Sequence, residues 1–171
     1  MSVCSHLGRV DACKSPKQSY RLFTRLRYLN EINGVTLSSG NRGRATIGLQ
    51  AKIRSQSSQD EFYTPERLFI TELWNSPDDE QLSIAKARVE PGVTTTLHYL
   101  AAVDERYLIS SGQGVVEVEG VAPSTVSAGD VVLIPSYKKQ RITNTGTRDL
   151  IFYCICTPRF TPECYREVTV E

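Results

Sequence analysis

The chain has 171 residues, 40% of them hydrophobic and 23% charged, with a net charge of +1. That length suits one domain with a tail, and that composition excludes a disordered or collagen-like chain. No run approaches the roughly 18 apolar residues of a membrane span, which excludes a helical membrane protein.

The near-zero charge hides an asymmetry. Residues 1–59 hold ten Lys or Arg against two acids, Asp11 and Glu31, a net +8; the rest carries −7. The same segment has nine serines, and Leu22, Phe23, Leu26 and Leu29 repeat at helical spacing beside Arg21 and Arg25. The spacing predicts a helix over 20–32. An Arg-rich, Ser-rich, acid-poor amphipathic segment has the profile of an organelle transit peptide; a largely irregular basic arm fits the same residues. The expected compartment is accordingly the cytoplasm, or an organelle matrix if the arm is a targeting segment. No apolar stretch follows Met1, so a secretory signal is not expected. The arm lacks a dense basic cluster interleaved with aromatics and the rest is acidic, so neither nucleic acid nor membrane is an expected partner.

Residues 33–60 read as linker, rich in Ser, Gly, Asn and Gln. From Glu61 the texture changes to short β-branched and aromatic runs between Pro and Gly turns. The predicted strands are Leu68–Trp74, Leu82–Val89, Thr94–Leu100, Glu105–Ser110, Val115–Glu119, Thr125–Ser127, Val131–Ile134, Gln140–Asn144 and Leu150–Thr157. Many short strands at near-regular spacing predict an all-β sandwich or barrel. The expected division is a basic extension over 1–59 and a β domain over 60–171. The cysteines, Cys4, Cys13, Cys154, Cys156 and Cys164, are odd in number and include no C-x-x-C pair, so neither a disulfide framework nor a structural zinc site is expected. Cys154 and Cys156 are two apart in an apolar run and share a face.

One region carries chemistry. Gly92 is followed by five residues and His98; Leu100 comes two later, then Glu105 and Gly112. Further on, Gly129, Pro135, Tyr137, Gln140 and Asn144 follow at a second set of fixed spacings. This pair of motifs resembles those of the small single-domain cupin family. Leu100 stands where the first motif has its second His; Tyr137 and Gln140 replace the Gly and the His of the second. The resemblance implies a double-stranded β-helix, a jelly-roll barrel with its site inside. It also implies a homodimer, formed by strands near the start of the domain.

The usual cupin centre has three imidazoles and a carboxylate, a set suited to Mn, Fe, Ni or Zn. Here the resemblance leaves His98, Glu105 and Gln140 at ligand positions, a degenerate metal site. An inward Cys154 or Cys156 would supplement it. A metal-free reading uses the same residues: Glu105 orients His98, His98 acts as base, and Tyr107, on the face of Glu105, acts as acid. Lys86 and Arg88 alternate on one strand face and, if that face looks inward, would bind an anionic substrate beside Gln140. The expected function is therefore a cupin barrel holding a small polar or anionic metabolite. As an enzyme it would be an isomerase or lyase moving a proton. The alternatives are a binding protein without catalysis, favoured if Leu100, Ile142 and Tyr107 fill the pocket, and a metal-dependent, dioxygenase-like enzyme. The sequence leaves open whether it is an enzyme.

Overall fold

The computed structural model describes residues 49–55 and 60–169. All of them lie in the second of the two units into which the chain divides, Ala45–Glu171. The predicted helix over 20–32, and nearly all of the predicted arm, fall outside the described residues.

Two antiparallel sheets face each other. The larger contains β1 (Phe62–Tyr63), β2 (Phe69–Trp74), β3 (Ser83–Val89), β5 (Asp104–Ser111), β8 (Val131–Ile134) and β10 (Leu150–Thr157), in the order β1-β2-β3-β10-β5-β8. The smaller contains β4 (His98–Leu100), β6 (Gln113–Val118), β7 (Ser124–Ser127), β9 (Gln140–Asn144) and β11 (Tyr165–Glu167), in the order β11-β4-β9-β6-β7. The sole helical element among the described residues is a short 3-10 turn, Pro162–Cys164. The predicted all-β jelly roll is the observed fold.

Alternation explains how each strand serves two environments, since neighbouring side chains point to opposite faces. On β5, Glu105, Tyr107 and Ile109 are buried while Leu108 and Ser110 are exposed. On β9, Gln140, Ile142 and Asn144 are buried. Register stacks the inward residues into layers. Ser83, Cys156, Glu105 and Ile134 form one; Ala85, Cys154, Tyr107 and Val132 the next; Ala87, Phe152 and Ile109 the third; Val89 and Leu150 the last. Opposite them, His98 pairs with Gln140, and Ile142 with Val116. The interior thus grades from polar at the Glu105 end to apolar at the Leu150 end.

The apolar end is tightly closed. A Cβ on Gly112, whose φ is +84°, would lie 2.6 Å from the Asp149 carbonyl oxygen. Glycine is required there both for its left-handed backbone and for its missing side chain. Tyr137 takes a left-handed φ of 67° at the place where the cupin spacing has glycine. The backbone demand is unchanged although the residue is not. Its N–H donates to the Leu100 carbonyl at 2.8 Å, tying this turn to β4.

The sequence misses two strands. β1 is two residues long and β11 follows a proline turn, too short for periodicity to register. The predicted strand over Thr94–Leu100 is shorter, His98–Leu100, with an isolated bridge from Thr94 to Thr143 ahead of it.

Candidate functional site

His98, Glu105, Tyr107 and Gln140 all point into the polar end of the interior, and all are buried. His98 lies on β4 directly opposite Gln140 on β9. Glu105 reaches across from the other sheet, and Gln140 Nε2 donates to its Oε2 at 2.6 Å. The Cys156 thiol donates a longer bond, 3.8 Å, to Glu105 Oε1. Glu105 is therefore satisfied by an amide and a thiol.

The imidazole has its own fixing. Its Nδ1 lies 2.9 Å from the Thr96 carbonyl oxygen. A carbonyl only accepts, so Nδ1 carries the proton and Nε2 of the neutral ring presents a lone pair. Glu66 Oε2 lies 3.9 Å from Nε2. The Tyr165 ring of β11 stacks on the imidazole, centroids 4.9 Å apart and planes at 29°. The ring is thus held at one nitrogen, covered on a face, and directed inward with the other.

Glu105 therefore does not orient His98; the Thr96 carbonyl does, and the carboxylate facing the ring is Glu66. The sequence reading missed Glu66 because it sits in the turn before β2, outside both motifs. Its turn is shaped by Arg67 at φ 69° and by hydrogen bonds joining Thr64 and Leu68.

Tyr107 packs its ring on Phe152, centroids 4.5 Å apart. Burial above all, with the charge of Glu105 next, pushes its phenol well above the ordinary value. Burial, then Glu105, likewise raises the thiols of Cys154 and Cys156. All three groups hold their protons.

Lys86 and Arg88 are not part of this site. On β3 the inward positions are Ser83, Ala85, Ala87 and Val89, so strand alternation turns Lys86 and Arg88 to the opposite face. There Arg88 pairs with Glu61 at 2.8 Å and Asp149 at 3.2 Å, and its guanidinium lies 3.9 Å over the Phe69 ring. Arg141 similarly holds Glu117 at 2.7 Å on the outside of the smaller sheet. These are staples of the barrel surface.

The residues at the metal positions do not fit a transition-metal centre. His98 is the sole imidazole among the described residues. Leu100 packs with Val103, Cys156 and Cys164 in an apolar cluster. Gln140 turns its nitrogen, not its oxygen, to Glu105, and Cys156 faces Glu105 as a protonated donor. No group of three or more His, Cys, Asp or Glu among the described residues is placed to hold a metal ion.

A surface groove of about 370 Å³ opens between the β6–β7 hairpin and β8, lined by Val118, Val121, Thr125, Val131 and Leu133 among others. It contains none of the residues above. The buried imidazole and carboxylate lie instead at the His98 end of the interior.

The two facing sheets and the inward His98–Glu105 end define a barrel with its polar groups inside. Residues 85–156 match the cupin domain family model, and the barrel has the fold of the cupin proteins. No curated protein matches the chain. Among solved structures, it is similar to the Streptomyces nucleoside dehydratase Pac13, with a TM-score of 0.59 at 16% identity, covering 70% of this chain and 92% of that one. It is also similar to KdgF from Halomonas, at 0.56 and 17%, covering 64% and 96%. A predicted oxalate decarboxylase from Thermotoga maritima gives 0.55 and 23%, covering 63% and 99%. At these identities the likeness is one of fold. No helix among the described residues is long and apolar enough to cross a membrane.

Proposed function

We propose that the barrel holds a small polar metabolite at its His98 end and moves a proton on it, as an isomerase or lyase. The observation that carries this reading is the fixed tautomer of His98, with Nδ1–H on the Thr96 carbonyl and Nε2 aimed inward toward Glu66. A buried imidazole so oriented is a general base.

In this scheme Nε2 takes a proton from a substrate carbon beside a carbonyl or similar electron-withdrawing group. The imidazolium then points its new proton toward Glu66. It returns that proton to a neighbouring carbon in an isomerisation, or to a departing hydroxyl, released as water, in an elimination. One base suffices, and the proton count closes. Tyr107 plays a different part from the acid expected of it. With its phenol raised by burial and by Glu105, it is a poor proton source but a dependable hydrogen-bond donor to an oxygen that gathers charge. The nucleoside dehydratase of the same fold supports an elimination as the reaction class.

The test is turnover in deuterated water with uridine and a panel of aldoses and hydroxy acids, followed by proton NMR. The wild type is expected to exchange or eliminate, and His98→Gln to lose about 100-fold or more of that rate while still binding the same compound, with weakened affinity. Binding without exchange by the wild type would make this a binding barrel, a role favoured by Leu100, Ile142 and Tyr107 all lying buried in the core.

A further inference from the structure

Gln140 and Asn144 are carboxamides on the same strand, and each is 0% exposed. Asn144 is satisfied at both ends. Its Nδ2 donates to the Val89 and Arg148 carbonyls, and its Oδ1 accepts from the Gly146 N–H. Gln140 is not. Its Nε2 donates to Glu105, and its Oε1, shut away from solvent, has no hydrogen-bond partner. It is the one buried side-chain polar atom in this state among the described residues. Leaving a buried acceptor unmet is costly, and native proteins rarely do so without a ligand or water to fill the gap. Reversing the amide does not help, because Oε1 would then face the Glu105 carboxylate and Nε2 would lose its partner.

Whatever completes Gln140 must therefore bring a donor. The adjacent group in register is His98, whose Nε2 is likewise an acceptor. The two residues that carry these acceptors are thus paired across β4 and β9, with the Glu105 carboxylate bonded to one and Glu66 near the other. An anion entering here would meet carboxylates, and the cations expected to receive it, Lys86 and Arg88, lie on the far face of β3.

Resting on the reading of the His98 end as the ligand site, we propose that the ligand is a neutral, hydroxyl-rich compound of the sugar or polyol class. One of its hydroxyls donates to Gln140 Oε1, and that bond sets which carbon faces His98 Nε2. Gln140 is thus a specificity-determining residue, and the barrel selects neutral ligands against their acidic counterparts.

Calorimetric titration with matched probes tests this: D-ribose against ribose 5-phosphate, D-glucose against D-glucuronate, and choline as a cation. The wild type is expected to bind a neutral member at least tenfold more tightly than its anion. Gln140→Met, similar in size but without the amide, is expected to weaken the neutral probe about tenfold, or 1.4 kcal/mol, and to narrow the preference. If Gln140→Met does not fold, Gln140→Asn, which keeps the amide but shortens its reach, serves the same comparison. Tighter binding of an anion or of choline, no binding of either neutral probe, or no change in the Gln140 variant overturns the inference. A neutral probe whose binding ignores both Gln140→Met and His98→Gln would instead overturn the broader placement of the ligand at His98.

Discussion

The two ends of the barrel interior are built by the same strands and are equally buried, yet they have opposite economies of contact. At one end Val89, Ile109, Ile142, Leu150 and Phe152 pack together, and the buried polar side chains beside them, Thr95 and Asn144, are hydrogen-bonded. At the other, His98, Glu105, Tyr107 and Gln140 are desolvated around a network with an open acceptor. Buried apolar area stabilises at about 25 cal/mol per Å², whereas a buried polar network with an unmet member carries a desolvation cost that offsets much of what its hydrogen bonds contribute. The first end holds the fold. The second adds little stability for the polar groups it buries, which is the pattern expected of a site.

The largest test of this contrast is Phe152→Ala. Phe152 is 0% exposed and packs on Tyr107, so its loss is expected to destabilise by about 3–5 kcal/mol, read from urea denaturation. A loss under 1 kcal/mol would mean that the apolar end is not the stabilising one.

Next in size is a double-mutant cycle across the polar end. Glu105→Leu strands the Gln140 amide and is expected to destabilise by about 2 kcal/mol. Adding Gln140→Leu should restore most of that, because neither partner is then left unmet. If the double variant is as unstable as the sum of the singles, the network is a net stabiliser and the contrast fails.

The outer pairs should matter less. Arg88 and Arg141, chiefly through hydrogen bonds, hold Glu61 and Glu117 below the ordinary 4.5. The stability these carboxylates lend is whole above that value and is lost as pH falls through their lowered native values. Being partly exposed, each pair is worth about 0.5 kcal/mol. Arg88→Gln and Arg141→Gln should therefore each lower stability by about 0.5 kcal/mol at neutral pH and by less as the pH falls below 4.5, which flattens the acid limb of a stability profile slightly. A steep change at neutral pH would show the pairs to be structural keystones.

The smallest expected effect is that of chelation. Dialysis against EDTA should leave the melting temperature where it was, since a single imidazole beside a carboxylate already bonded to Gln140 and Cys156 does not make up a transition-metal centre. A fall on chelation, reversed by Mn, Fe, Ni or Zn, would show that the polar end assembles around a metal.

Much of this was legible in the sequence. Strand runs such as Val131–Ile134, Gln140–Asn144 and Leu150–Thr157 match the structure end to end, because β-branched residues between Pro and Gly punctuation leave few other options. The motif spacing located His98, Glu105 and Gln140, and the period of two put Tyr107 on the face of Glu105. What it left undecided was partnership. Glu66 joins His98 from a turn more than thirty residues upstream, and Glu105 finds Gln140 rather than His98. Lys86 and Arg88 alternate as the sequence says, but only the packing of Ala87 and Val89 against the core decides that they face outward. Local rules fix which residues share a face and where a strand stops. Which face is buried, and which polar groups meet across two sheets, depends on contacts between residues far apart in the chain, and those exist only once the barrel has closed.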